Sequence, residues 1–188
     1  TAKSPYEDRS IDRFCEDLLI RHGRADAAYR RYGLVAAGGT TNLATFRALT
    51  KRYPDRDRRQ TLIDLIKTRG DKGKWFAAAK DAGFLDIALE CAELSGVDPS
   101  TLVRAARDFC DKEPRFAAVV GLLAIRHLLA GGGYDPQVSE AADAATHLLG
   151  AARQIGAVDW ARAELGKLAG GPCSSERQLF RHAVEVAL

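Results

Sequence analysis

Along almost the whole chain apolar residues recur at three- and four-residue steps, and no stretch alternates apolar with polar residues between hairpin turns. That spacing puts side chains on one face of a helix and leaves no pattern from which a sheet could be built. Ile11, Phe14, Cys15, Leu18 and Leu19 form one such face, closed at Gly23. Leu43, Phe46, Leu49 and Tyr53 form another, ended by Pro54, and Val138 to Ile155 carries a long unbroken stripe. Asp98-Pro99 and Asp135-Pro136 predict helix starts, with the aspartate capping free amides and proline at the first helical position. Phe116 to Leu129 is apolar nearly all round, so other helices must cover it on most sides. Its longest uninterrupted run, Phe116 to Ile125, is too short for the roughly 20 residues a membrane crossing needs. Short connections between so many helices favour antiparallel neighbours. The expected fold is therefore all-α: an antiparallel αα-hairpin array, either a TPR-like α-α superhelix or a helical bundle, in a single domain over 1–188.

A core without covalent staples is feasible at 188 residues, and 46% hydrophobic with 28% charged residues is an ordinary globular balance. Cys15, Cys91, Cys110 and Cys173 contain no C-x-x-C pair, so their spacing writes neither a zinc ribbon nor a redox motif. With a polar, charged start over Thr1 to Arg13, the expectation is reduced thiols in a cytoplasm and no membrane association. A chain that opens at Thr1 and holds no methionine is expected to be a fragment of a larger protein.

A faint internal repeat favours the superhelix over the bundle. Ala28, Arg30, Gly33 and Leu34 match Ala78, Lys80, Gly83 and Phe84, and Leu43, Arg47 and Pro54 match Val103, Arg107 and Pro114. Three blocks carry a wider likeness: Leu43-Ala44-Thr45-Phe46-Arg47-Ala48, then Gly73-Lys74-Trp75-Phe76-Ala77-Ala78-Ala79-Lys80-Asp81-Ala82-Gly83, then Asp98-Pro99 with Thr101 to Phe109. Through them the stretch 32–129 resembles a bacterial family of unknown function. The resemblance implies an α-helical repeat fold within a larger bacterial protein and supplies no catalytic residue.

Candidate chemistry is sparse. Asp143 and His147 share a helical face at ligand spacing, and His127 could add a third ligand, but the Glu-x-x-His pairs of a dinuclear carboxylate bundle are missing. A histidine bonded within the fold is the plainer reading. Arg177 and His182 resemble the arginine and histidine spacing of helical ribonucleases of the HEPN type, yet a chain this rich in arginine produces on the order of one such match by chance. Gly131-Gly132-Gly133-Tyr134-Asp135-Pro136 lacks the Lys-Ser/Thr of a phosphate loop and reads as a turn. No Gly-x-Ser-x-Gly elbow occurs. These residues argue for no enzyme, no cofactor and no metal.

Charge has one asymmetry. Segment 47–74 holds ten basic and four acidic residues, a local net of +6 within a chain whose formal net charge is +3. Arg58 and Arg69 fall within about 20° of each other around a helix. Arg56, Arg58, Arg59, Arg69 and Lys72 are the candidate contacts to a polyanion or a partner, against the alternative of a solvated helix face. The leading functional expectation is a non-catalytic module that presents a groove to a protein or peptide partner. A nucleic-acid-associated module using 47–74 comes second, and a helical-bundle enzyme or metal protein third.

Overall fold

A computed structural model describes the backbone of residues 5–94, 96–171 and 174–187, with side chains outside 5–9 and 176. The described residues are all-helical, and none is in a strand. Contacts divide the chain into two compact units, Thr1–Ile87 and Ala88–Leu188.

The first unit opens with α1 (Pro5–Arg21), which ends where Gly23 takes φ +70. Next come α2 (Ala25–Ala28), a π-helical turn (Tyr29–Gly33) and α3 (Leu34–Ala36). The Thr41 hydroxyl accepts from Ala44 N at 3.1 Å to cap α4 (Asn42–Arg52), and the Asp57 carboxylate accepts from Gln60 N at 2.7 Å to cap α5 (Arg58–Arg69). Each thus satisfies an amide that a helix leaves open. A 3-10 turn (Lys72–Trp75) leads into α6 (Phe76–Asp81), and α7 (Leu85–Ala92), within which the first unit ends at Ile87, follows Gly83 at φ +87. Trp75, Phe76, Phe46, Leu49, Leu62 and Leu65 make the buried core of this unit.

The internal match is not carried by equivalent backbone. Gly83 occupies the left-handed region, whereas Gly33 is helical, and a Cβ on Gly33 would meet the Tyr53 ring at 3.0 Å. One glycine provides a turn and the other provides room.

In the second unit α8 (Pro99–Phe109) begins on proline as expected, but the Asp98 carboxylate accepts from the Thr101 hydroxyl at 3.2 Å instead of from an amide. Pro114 both follows α8 and starts α9 (Pro114–Leu129). Asp135-Pro136 does not start the next helix. α10 (Val138–Gln154) starts two residues later, where Glu140 accepts from Gln137 N at 3.1 Å. α11 (Val158–Ala169) and α12 (Gln178–Ala187) complete the unit. α8, α10, α11 and α12 all pack on α9, whose Ala117, Val120, Ala124, Ile125 and Leu128 are wholly enclosed. The all-round apolar pattern of α9 has this cause. At Gly121 a Cβ would stand 3.2 Å from Ala144 O, so α9 and α10 cross closely there.

Candidate functional site

The basic segment runs along α4, the turn after it, α5 and the following 3-10 turn. Arg56 is half-buried, lies 3.8 Å above the Tyr29 ring centroid, and pairs with Asp26 at 2.5 Å. Arg59 pairs with Asp86 through both guanidinium nitrogens, and this holds the Asp86 carboxyl below its usual range. Arg69 donates to the carbonyls of Ala37 and, at 3.2 Å, Val35, which closes the end of α3. Arg58 is exposed, with its guanidinium 5.8 Å from the Phe46 ring centroid, and Lys72 is exposed in the 3-10 turn. Of the five candidates, then, Arg56, Arg59 and Arg69 bind other parts of the first unit, and Arg58 and Lys72 have no ion pair among the described residues.

A polar network that no sequence motif announced lies at the same end of α4. Arg52 donates through Nε to Glu16 Oε1 at 2.8 Å and through Nη2 to Asp17. The Tyr53 hydroxyl donates to the same Glu16 oxygen at 2.5 Å. Glu16 is a carboxylate only 3% exposed. The Tyr53 ring meets Tyr29 edge to face at 5.2 Å, and the Tyr29 hydroxyl donates to Asp64 at 2.9 Å. Burial and the bond to Glu16 raise the Tyr53 phenol, while burial and the bond to Asp64 push Tyr29 up to about 12. Burial works against the Arg52 charge, but the bonds to Asp17 and Glu16 outweigh it, so its guanidinium is held charged. Two clefts flank this network. One of about 480 Å³ is lined by Arg13, Glu16, Asp17, Lys51, Arg52 and residues 36–38 among others, and one of about 770 Å³ by Arg24, Asp26, Tyr53 and Arg56 among others.

No protein-family model, no curated protein and no solved structure matches this chain. Its chemistry has to be argued from its own residues.

The apolar positions of α1 divide: Ile11, Phe14 and Leu18 are 54%, 63% and 39% exposed, Cys15 and Leu19 are half-buried, and among the described residues of this helix Glu16 is the buried side chain. Glu16 can turn inward because Arg52 and Tyr53 supply it with partners, beside half-buried Cys15, Leu19 and Ile20; Ile11, Phe14 and Leu18 are left outside.

In the second unit His127 donates from Nε2 to the Ala92 carbonyl at 2.8 Å, Asp143 is exposed, and His147 is half-buried. Among the described residues no three His, Cys, Asp or Glu gather as metal ligands. Arg177 stacks on Phe180 at 4.9 Å, and His182 Nδ1 lies 3.7 Å from Glu185. Gly131 and Gly133 take positive φ, which is turn chemistry. Cys15, Cys91 and Cys110 form no disulfide; Cys173 lies outside the described residues. Among the described residues no helix is long and apolar enough to cross a membrane.

Proposed function

We propose that this chain is a non-catalytic interaction module, a TPR-like array of αα-hairpins within a larger bacterial protein of the cytoplasm, that receives the apolar face of a protein or peptide partner. The observation that carries it is the outward stripe Ile11, Phe14 and Leu18 on α1. Those positions are spaced three and four apart, the spacing with which one amphipathic helix meets another. Exposed apolar residues placed singly are normal, but three in line on one helix mark a contact surface. The free thiols of Cys15, Cys91 and Cys110 agree with a reducing compartment.

The experiment has two arms. Phe14→Ser should change unfolding free energy by less than about 0.5 kcal/mol, as for surface substitutions generally. A photocrosslinker at Phe14, introduced into the full-length protein in its own cells, should trap a partner that is lost with Leu18→Asp and absent when the crosslinker sits at Lys112. A destabilisation above about 2 kcal/mol for Phe14→Ser would place the stripe in a core and end this reading.

One observation favours the second reading, a nucleic-acid-associated module: Arg47, Lys51, Arg58, Lys67 and Lys72 are exposed and have no ion pair among the described residues. If they carry phosphate contacts, affinity for duplex DNA should fall with salt at a log-log slope of about −0.9 per neutralised phosphate. No binding at low salt removes it.

A further inference from the structure

We propose that the cleft between α1, α3 and α4 binds a small zwitterion of the aliphatic α-amino acid class, with the ammonium on Glu16 and the carboxylate on Arg13 and Lys51. The cleft holds about 480 Å³, within the roughly 300–1,000 Å³ range of small-molecule sites. Glu16 lies at its base, and both internal hydrogen bonds, from Arg52 and Tyr53, fall on Oε1. The other oxygen, Oε2, accepts no hydrogen bond from a described residue. An almost fully buried carboxylate that lines the cleft thus has one acceptor that no described residue occupies, and such a group calls for a charged or polar donor.

The charges are arranged as a dipole. Glu16 and Asp17 share the single guanidinium of Arg52, a cluster of net −1. Exposed Arg13 and Lys51 line the same cleft and have no ion pair among the described residues, so the cleft also offers two cations to an anion. A molecule with a cation and an anion a few bonds apart satisfies both ends, whereas a simple anion leaves Glu16 unsatisfied and a simple cation meets Arg13 and Lys51. Between the two ends the walls are small and apolar, from Ala36, Ala37 and Ala48, which suits an aliphatic side chain. Arg69 holds one wall in place through the Val35 and Ala37 carbonyls. The two ends that hold the ligand are off the α1 stripe: at about 100° per residue, Arg13 and Glu16 lie about 100° or more around α1 from Ile11, Phe14 and Leu18.

The test is calorimetric titration of the chain with L-valine and with its two halves, isovalerate and isobutylamine. L-valine should bind one to one with a Kd of about 1 mM or tighter, and each half should bind at least about tenfold more weakly. Glu16→Gln keeps an acceptor for Arg52 and Tyr53 but loses the charge, and should weaken L-valine about tenfold or more. Gly38→Leu is the blocking variant. A Cβ at Gly38 meets nothing nearer than Ala36 O at 3.9 Å, so the new side chain can grow into the cleft without displacing backbone. It should abolish binding with the melting temperature unchanged. Absence of heat with L-valine at millimolar concentration, equal binding of isovalerate, or unchanged binding in either variant overturns the proposal. Tighter binding of the peptide Val-Gly-Gly than of valine also overturns it, and gives the cleft to a peptide terminus.

Discussion

Tyr29 and Tyr53 are the residues on which the first unit's polar chemistry turns. Each is a buried phenol donating to a carboxylate, Asp64 and Glu16 respectively. Tyr53→Phe removes a bond to a buried charge and should cost about 1.5–3 kcal/mol at neutral pH. Unfolding followed by the fluorescence of buried Trp75 measures it, and a loss below about 0.5 kcal/mol would mean that Arg52 alone satisfies Glu16. Alkali provides a second check. The Tyr29 phenol is raised from 10.0 to about 12 in the folded protein, so folding favours its neutral form. The stability it contributes is complete below pH 10 and is lost as pH rises through about 12. Tyr29→Phe should therefore flatten the fall in Trp75-detected stability between those limits; an unchanged pH profile would show that other groups set it. Arg59 and Asp86, both substantially exposed, form the opposite kind of pair, and Arg59→Ala should cost less than about 1 kcal/mol.

At the scale of helices, α9 and α10 carry the second unit. Leu123 is buried on α9, and Leu123→Ala should cost about 2–5 kcal/mol. Gly121 decides between two effects. Helix propensity alone favours alanine there by about 1 kcal/mol. The added methyl would stand 3.2 Å from both Ala144 O and Leu148 Cβ, and a backbone carbonyl within a packed helix cannot turn aside. Overpacking wins, and Gly121→Ala should destabilise by about 1–3 kcal/mol. Trp160 on α11 reports both changes by fluorescence. A stabilised Gly121→Ala would show that the two helices separate at little cost. α1 differs from these core helices: beside half-buried Cys15, Leu19 and Ile20 it turns the ion-paired and hydrogen-bonded Glu16 inward, and Ile11, Phe14 and Leu18 are exposed.

For the molecule as a whole, the helical fraction is 76%, so circular dichroism should show helix far above the roughly one-third of average proteins. A substantial β signal would contradict the fold. Melting in the presence of a chelator should match melting without it, because the His, Cys and carboxylate side chains that can be described do not converge. Stoichiometric zinc in the purified protein would contradict that expectation. The two compact units each contain one tryptophan, so the stability of each can be followed in the same chain.

Helix identity and helix punctuation were legible in the order of residues, because both depend on groups three or four positions apart. The spacing of apolar residues foretold α4, α9 and α10, and Pro99 marked the start of α8. Where two local signals competed the sequence could mislead: Asp135-Pro136 has the form of a helix start, but the Glu140 bond to Gln137 N begins α10 two residues later. Three things were settled only by tertiary contact. Which face of α1 turns inward depends on Arg52 and Tyr53, more than thirty residues away. Whether the basic residues meet solvent depends on Asp26, Asp86 and the carbonyls of Val35 and Ala37. That Gly33 gives room to an aromatic ring while Gly83 makes a turn cannot be told from the same letter in the same repeat. Period and capping are local properties of a chain, whereas the partner of a charge or the neighbour of a glycine is chosen by packing.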